Sequence, residues 1–515
     1  MLRVKQTDIR GLLLLLFFCA FFLLSRGIYL DRDEINPDGV NWHYRSEQFI
    51  VGLKSGDFAK TYQHYHPGVT LMWIVGPVVE LIKQIDPDQR IYDQFNIPMF
   101  HFYSKLALIS VQLVLTLFAM YLLSKILGKK LAYLSMLLLS VEPFFLGNSR
   151  ILHMDVLLTL FLIISLLLSY LNLKHFSIGG AILSGLFLAL SFLTKSVAIG
   201  GVAFVIAMNF LGRSSLKTFV RSSALTLLSF VFFTFLLFPA LWVAPISTLT
   251  SIFSEAERVG IRKGHDQIVF GEYTSDAGPL FYPLALLMKV SPITLLGALF
   301  FVVVRFIKFM KEKACPFRLL KNVSALWYLG IFYMGYFFIM FFPTKKLDRY
   351  MLVIYPFVCV LSVLGLSKLL SLIRNKVIRG VSTALLVVGL GYPLVSHFPY
   401  YFTYTSPVFG SAENAHKVIA QKPFGMGMFA LRDMILENYY YPALCFYDIK
   451  PMRAIYPNSR IWDVRVNGLS DCDMFILGPN EEMPVDATTG KYKFEKEHSL
   501  YINGLEYWRV YVKKV

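Results

Sequence analysis

Charged side chains are scarce in this chain. Asp, Glu, Lys and Arg together make up 16% of its 515 residues, whereas hydrophobic residues make up 56% and the mean hydropathy is +0.57. So few charges exclude an ordinary soluble protein of this length. Uncharged runs of about 20 residues, the length that crosses a bilayer, recur along the chain instead. The composition therefore predicts an α-helical polytopic membrane protein.

Cysteines and glycine-rich motifs are few as well. None of the five cysteines has the spacing of a metal site, and no glycine-rich nucleotide-binding loop is present. The chain also shows no internal repeat of the kind found in secondary transporters. Cys445 and Cys472 fall in the same C-terminal region, where a disulfide between them is one alternative. These absences give no support to a cysteine-bound metal, a nucleotide site or a repeat-based transporter.

About eleven segments meet the length rule for membrane spans. They lie near residues 11–29, 103–124, 130–147, 155–173, 177–194, 197–212, 220–243, 281–305, 324–342, 350–370 and 379–397. The first is too long for a cleaved signal peptide and lacks a small-residue cleavage site, so we expect it to remain as an anchor.

Basic residues predict the orientation of these spans. Arg3, Lys5 and Arg10 precede the first span, and alternate turns hold further lysine and arginine clusters, as cytoplasmic loops do. The N-terminus is then cytoplasmic, and residues 31–100, 244–280 and 398–515 lie outside the cytoplasmic membrane. This topology accounts for much of the net charge of +17, so binding of nucleic acid is not expected.

The chain divides into a membrane domain, residues 1–397, and a small outside α/β domain, residues 398–515. Within the first outside loop, residues 68–83 are apolar but contain Gly76-Pro77, which favours a helix lying in the membrane interface over a full span. After residue 398 the apolar runs shorten, and turn signals such as Asn503-Gly504 predict short strands.

Ionisable residues recur at the outside ends of the spans. Four carboxylates follow the first span, namely Asp31, Asp33, Glu34 and Asp38. A charge at bilayer depth costs about 2.5–3.5 kcal/mol, so these side chains belong at or beyond the membrane surface. A solvated loop is the plain interpretation, but the recurrence favours one polar site at a membrane face. Its further candidates are His66, Arg150, Asp155, Lys195, His265, Glu272, Lys289, Lys346, Arg349 and Tyr350.

Simpler roles exist for several of these residues. Arg150 and Asp155 could pair with each other, and Lys195 could extend its ammonium to the interface. His64 and His66 could hold a divalent metal with the carboxylates, but two histidines at this spacing more often do not, so no cofactor is expected.

An outside cluster of cations points to an anionic ligand. Lys345, Lys346 and Arg349 lie where basic residues are normally depleted, and a bound anion would compensate them. Arginine binds phosphate through two parallel hydrogen bonds, whereas lysine acts as a point charge. Together with carboxylates that accept protons, these cations suggest group transfer from a lipid-linked phosphate.

Six short motifs occur in order along residues 1–400. They are Asp33-Glu34, His66-Pro67-Gly68, Arg150 with Asp155, Thr194-Lys195-Ser196, Lys289 with Pro292, and Lys346 with Arg349-Tyr350 before Pro356. The set resembles the multi-spanning glycosyltransferases of the GT-C fold class that use polyprenyl-phosphate sugars. Within that class it resembles family 39, which includes the protein O-mannosyltransferases and is similar to the lipid A aminoarabinose transferases. Gly68 and Ser196 depart from the proline and glycine of the family pattern.

The resemblance implies a mechanism. Asp33, or Glu34 beside it, would take a proton from the acceptor, with Asp155 as a further catalytic residue. Lys195, Lys346, Arg349 and Arg150 would hold the donor phosphate, and His66, His265, Glu272, Lys289 and Tyr350 would contact substrates. Direct attack would invert the sugar, and the acceptor would be a lipid, a protein or a glycan. The alternative is a membrane transporter or flippase of lipid-linked saccharides.

Overall fold

Helices make up most of the architecture, as the long uncharged runs predict. The computed structural model describes residues 6–86, 97–212, 215–262, 266–312, 323–456 and 460–514. The helices of the N-terminal half are α1 (Gln6–Gly27), α2 (Pro37–Ser55), α3 (Val69–Ile85), α4 (Ile97–Leu127), α5 (Lys129–Val141), α6 (Pro143–Arg150), α7 (Asp155–Lys174), α8 (Ile178–Thr194), α9 (Ile199–Gly212), α10 (Leu216–Leu237), α11 (Ala240–Val243) and α12 (Pro245–Glu257).

The C-terminal half adds helices and a small sheet. Its helices are α13 (Phe281–Lys289), α14 (Pro292–Glu312), α15 (Ala325–Ile339), α16 (Tyr355–Leu372), α17 (Lys376–Ser396), α18 (Ala412–Val418), α19 (Met428–Asn438), α20 (Lys450–Arg453), α21 (Val464–Asn467) and α22 (Val485–Thr488). The strands are β1 (Gln267–Val269), β2 (Glu272–Thr274), β3 (Leu444–Phe446), β4 (Ile461–Asp463), β5 (Met474–Leu477), β6 (Phe494–Ile502) and β7 (Leu505–Lys513).

A polytopic membrane architecture is confirmed. Among the described residues, seven helices are long and apolar enough to cross a membrane, and α5 with α6, bent by 68° at Glu142, would make an eighth. Three shorter apolar helices, Ile178–Thr194, Ser196–Gly212 and Ala325–Ile339, coincide with further predicted spans. An apolar helix therefore lies at every predicted segment, but fewer than eleven meet the length criterion.

The predicted span at 281–305 is two helices rather than one. Helix α13 ends at Lys289 and α14 begins at Pro292. A proline lacks the amide that a continuous helix would use and suits the first turn of a new one. The break places Lys289 at a helix end.

The first loop packs into the bundle through α2 and α3. Pro77 lies inside α3, which continues to Ile85 as one helix. At Gly76 a Cβ atom would come within 2.7 Å of the Ile50 side chain, so glycine allows α2 and α3 to approach closely. The indole of Trp73 donates a hydrogen bond to the Leu237 carbonyl, 2.8 Å away. Helix α3 is thus fixed against the end of α10.

The C-terminal sheet has the strand order β4-β3-β5-β7-β6. Strands β3, β4 and β5 are parallel, whereas β7 pairs antiparallel with β5 and β6. Asn503 and Gly504 have φ values of 50° and 81°, as the two-residue turn between β6 and β7 requires. A disulfide joins Cys445 in β3 to Cys472 ahead of β5, with 5.8 Å between their Cα atoms.

This sheet domain contacts the loop that follows α1. The Ile35 amide donates to the Gly425 carbonyl at 3.2 Å, and the Gly427 amide donates to the Asp33 carbonyl at 3.2 Å. A Cβ on Gly425 would lie 1.9 Å from the Ile35 oxygen, so only glycine permits this approach. The contact brings the C-terminal domain over the polar end of the bundle.

Candidate functional site

Asp33 and Glu34 belong to a buried network of ion pairs. The Asp33 carboxylate accepts from Lys105 Nζ at 2.6 Å and from Arg150 Nε at 2.9 Å. Glu34 accepts from His101 Nε2 at 2.9 Å and from Asn36 Nδ2 at 2.9 Å. Only 3% of Asp33 and 1% of Glu34 is exposed. These contacts use both oxygens of each carboxylate.

Arg150 also caps the end of α1. Its two terminal nitrogens donate to the carbonyls of Ser25, at 3.1 Å, and Ile28, at 3.0 Å. A cation stabilises the negative end of a helix. Arg150 therefore joins α1 to Asp33 and does not pair with Asp155, which was the simpler alternative.

The network predicts a large loss of stability for Lys105→Ala. Removing one partner of a buried ion pair leaves a charge uncompensated and costs about 3–5 kcal/mol. We expect a clearly lower unfolding temperature in detergent. Lys125→Ala, which removes an exposed lysine from the same helix, is the matched control. Equal unfolding temperatures for the two variants would contradict the structural role.

A second polar cluster surrounds Asp155, which begins α7. Asp155 pairs with Lys195, and its Oδ2 lies 2.8 Å from His153 Nδ1 and 3.3 Å from Arg349 Nε. The last two approaches lack the angles of hydrogen bonds, so Asp155 Oδ2 and Arg349 Nε remain buried and unsatisfied. Arg349 also donates to Asp38 Oδ2 at 3.1 Å. Asp155 is thus surrounded by three basic side chains, those of His153, Lys195 and Arg349.

Local backbone geometry fixes Lys195 in this cluster. Lys195 is extended, at the break between α8 and a short 3-10 helix. The Thr194 carbonyl accepts from the Gly68 amide at 3.2 Å, and the Thr194 and Thr70 hydroxyls lie 2.7 Å apart. Gly68 has φ +60°, and a Cβ there would meet the Trp42 ring at 2.2 Å. Proline cannot adopt this φ, which explains why the second proline of the family pattern is absent.

Two cavities meet at this cluster. The first, the apolar cavity, has a volume of about 330 Å³ and is lined mainly by Leu158, Val197, Ile199, Phe253, Ile261, Met340 and Val353. The second, the polar cavity, has a volume of about 460 Å³ and includes Asp38, His64, His153, Arg349 and Lys422. The residues common to both linings are Tyr65, His66, Lys195, Lys345 and Tyr350. Two of these five are lysines, Lys345 and Lys195, the second of which pairs with Asp155, so two ammonium groups lie at the junction of the cavities.

Asp38 is a charged carboxylate facing the polar cavity. It follows Pro37 in the first turn of α2, which Asn36 caps through the Gly39 amide. Burial would raise the pKa of Asp38, but His153 and Arg349 outweigh burial and hold that pKa well below its usual range. Its side chain is 37% exposed, in contrast to Asp33 at 4%. Among the carboxylates of the first outside loop, Asp38 is therefore the one that lies beside this cluster and is accessible.

The two neighbouring histidines are neutral. Burial, followed by the charge of Arg45, lowers the pKa of His64 to about 4. Burial and then the charge of Lys195 hold the pKa of His66 well below its usual value. In the part of the chain that the structure describes, no group of three or more His, Cys, Asp or Glu side chains has the arrangement of a metal site.

The structure brings some of the predicted site residues together and separates others. Those lining one or both cavities are His66, Asp155, Lys195, Arg349 and Tyr350. Asp33, Glu34 and Arg150 line neither cavity. Glu272 is exposed on the β1–β2 hairpin, and His265 lies outside the described residues.

Two predicted lysines have other partners. Lys346 Nζ lies 3.0 Å from Asp276 Oδ1 and 2.7 Å from the Pro343 carbonyl, and it lines neither cavity. Lys345, the preceding residue, lines both. Lys289 donates to the Tyr404 carbonyl at 3.1 Å and lines a small cavity of about 40 Å³ beside Asp348, which adjoins the polar cavity through shared residues such as Arg349 and Lys422.

Sequence reasoning did not single out His153 and Lys422, and it placed Asp38 among the loop carboxylates and Lys345 in the cation cluster without giving either an individual role. For Asp38 a signal was present, because Asn36-Pro37 predicts a helix start and so places the next carboxylate at a helix N-terminus. Adjacent lysines at 345 and 346 carry no signal that tells which one faces the cavities.

Comparisons with known proteins agree with this architecture. Residues 97–242 match the family model described as dolichyl-phosphate-mannose-protein mannosyltransferase. The fold is similar to that of ArnT from Cupriavidus metallidurans crystallised with undecaprenyl phosphate, at 15% identity and TM-score 0.51, covering 97% of this chain and 98% of that one. It is also similar to the oligosaccharyltransferase of Archaeoglobus fulgidus in its apo form, at 11% identity and TM-score 0.50, covering 93% and 70%. No curated protein matched this sequence.

These findings confirm the resemblance that the motifs indicated. The chain has the GT-C fold, with a small sheet domain at its C-terminus, and it is similar to glycosyltransferase family 39.

Proposed function

We propose that this protein is a membrane glycosyltransferase that moves a sugar from a polyprenyl-phosphate donor to an acceptor in the polar cavity. The observation that carries the proposal is the junction of an apolar and a polar cavity, where two ammonium groups lie. A polyprenyl chain suits the apolar cavity, its phosphate suits Lys195 and Lys345 at the junction, and its sugar suits the polar side. The ArnT structure with undecaprenyl phosphate supports the same class of donor.

Asp38 is the general base in this proposal, in place of Asp33. The acceptor oxygen attacks the anomeric carbon of the donor while its proton passes to the Asp38 carboxylate. The bond between that carbon and the phosphate oxygen breaks, and its electron pair leaves with the lipid phosphate. Attack from the side opposite the phosphate inverts the configuration. A positioned base contributes about 10²–10⁴-fold to such a step.

Arg349 links donor binding to the basicity of Asp38. It now pairs with Asp38 and, together with His153, keeps the pKa of that carboxylate low, which makes it a weak base. A donor phosphate beside the polar cavity would compete for the guanidinium, whose Nε lies 3.3 Å from Asp155 Oδ2 without a hydrogen bond. Loss of the arginine contact would raise the pKa of Asp38, with His153 still lowering it. The base would thus be activated when the donor is in place.

Purified protein and a set of undecaprenyl-phosphate sugars test the function directly. We expect release of undecaprenyl phosphate with a covalent sugar product, or slow release to water when no acceptor is added. Movement of the lipid-linked saccharide across vesicles without any cleavage would instead identify a transporter.

The basic turns further support an outside location for the polar cavity. Ser55 and Ser470 are exposed, on the first loop and in the C-terminal domain. Cysteines placed there, after Cys19, Cys315 and Cys359 are replaced by serine, should react with an impermeant reagent in intact cells. Lys130→Cys, in a predicted cytoplasmic turn, should react only after lysis. If Lys130→Cys reacted in intact cells and the cysteines at positions 55 and 470 reacted only after lysis, the topology would be the inverse of the one proposed.

A further inference from the structure

The C-terminal domain supplies one wall of the polar cavity. Besides Lys422 and Tyr447, four of its polar residues line the cavity from the ends of strands, namely Asp448, Arg465, Asn480 and Glu481. Each follows the carboxyl end of a parallel strand: Asp448 follows β3, Arg465 follows β4, and Asn480 and Glu481 follow β5. We name these four residues the sheet wall.

The strand order gives this edge a crevice. Strand β3 lies between β4 and β5, and the chain runs from β3 to β4 on one side of it. After β5 the chain continues on the opposite side, to β6 and β7. The connections that follow β3 and β5 therefore run in opposite directions. Open sheets with parallel strands bind ligands outside the carboxyl ends, where neighbouring connections diverge. In this protein that place, between β3 and β5, opens on the cavity that contains Asp38.

Hydrogen-bonding capacity remains in the sheet wall. Asn480 Oδ1 is buried and has no hydrogen-bond partner. Glu481 uses Oε2 to accept from the Gly478 amide at 2.6 Å. Burial raises the pKa of Glu481 to about 7 and also raises the pKa of Asp448. A protonated carboxyl group both donates and accepts hydrogen bonds, and Glu481 can therefore do both near neutral pH.

Aromatic side chains face the same cavity. Trp42, Tyr65, Phe424 and Tyr447 are among its lining residues. A saccharide presents hydroxyl groups at its edge and C–H groups on its face, so a site with amide and carboxyl oxygens beside aromatic rings matches both.

Charge argues for a neutral ligand at this wall. Two of its four residues, Asp448 and Glu481, are carboxyl groups, which offer a phosphate no cationic partner. Its cation, Arg465, is bound to Asp463 at 2.7 Å. The cations suited to the donor phosphate, Lys195 and Lys345, lie instead where the two cavities meet. We infer that the sheet wall binds a neutral saccharide as the acceptor of transfer, which rests on the proposed transferase function.

The experiment compares Glu481→Gln and Asn480→Ala with Glu482→Gln, a neighbouring exposed carboxylate that does not line the cavity. Full-length protein receives an undecaprenyl-phosphate sugar and either neutral oligosaccharides of about two to five units or serine- and threonine-containing peptides. Release of undecaprenyl phosphate is measured against acceptor concentration. Binding of the same oligosaccharides without donor is measured by calorimetry.

We expect oligosaccharides to stimulate release by the wild type. Glu481→Gln and Asn480→Ala should raise the acceptor KM about tenfold, the effect of a lost hydrogen bond of about 1.4 kcal/mol. The donor KM and the slow release to water should not change, and Glu482→Gln should behave as wild type. Three results would each overturn the inference. They are equal acceptor KM values for Glu481→Gln and Glu482→Gln, stimulation of release by peptides alone, and a change confined to the donor KM. If the protein cleaves no donor but binds saccharides, and Glu481→Gln weakens that binding, the saccharide site at the sheet wall is upheld and the transferase function is overturned.

Discussion

Asp38→Asn is expected to reduce sugar transfer by about 10²–10⁴-fold, the contribution of a positioned general base. The substitution keeps the size of the side chain and removes its ability to take a proton. Donor binding should survive, because Lys195 and Lys345 at the cavity junction are unchanged. The measurement is single-turnover transfer at saturating donor, together with donor binding by the same preparation.

Asp33→Asn is the matched control for this prediction. It makes the same chemical change five positions earlier, but in a carboxylate enclosed by Lys105 and Arg150. We expect a lower unfolding temperature and near-normal turnover per folded molecule. If Asp33→Asn loses transfer while folded, and Asp38→Asn does not, the base is Asp33 and the proposed mechanism changes accordingly.

Lys195→Met is expected to lower kcat/KM for the donor by about 10²–10³-fold. A preorganised cation beside a leaving phosphate contributes on the order of 3 kcal/mol in a site shielded from water. The loss should appear with every acceptor, because it concerns bond breaking in the donor. Lys195 also pairs with Asp155, so folding is followed separately by thermal unfolding.

The adjacent lysines at 345 and 346 provide a sharper comparison. Lys345→Ala should raise the donor KM, since Lys345 lines both cavities. Lys346→Ala should leave the donor KM near the wild-type value, since its ammonium is bound to Asp276 and the Pro343 carbonyl. A larger donor effect from Lys346→Ala would show that the phosphate lies elsewhere than at the junction.

Much of the fold was predictable because the bilayer imposes its own length scale. Apolar helices occur at each predicted position, although 281–305 is divided into α13 and α14, and the Asn503-Gly504 turn joins two strands as its residues predicted. Strands β3 and β4 were not predicted. Each has only three residues, and a short buried run such as Leu444–Phe446 does not reveal its type from periodicity.

The site was less predictable, for a physical reason. A sequence shows which side chains carry charge, but their partners come from distant parts of the chain. Asn36-Pro37 marks a helix start before Asp38, but the sequence does not show that Lys105 from α4 encloses Asp33 or that Arg349, from beyond α15, pairs with Asp38. The sequence was sufficient to predict that carboxylates and cations gather at one end of the bundle. It was not sufficient to predict which of them are enclosed and which face a cavity.

The ion-pair network at Asp33 has a consequence for biosynthesis. Lys105 is fully buried in the N-terminal third of α4, a helix that must enter the bilayer, and an unpaired lysine there opposes insertion. Its partners, Asp33 and Glu34, are synthesised earlier and stand directly after the first anchor. The acidic loop is therefore already synthesised when α4 enters the bilayer, so the second span need not enter lipid with its charge uncompensated.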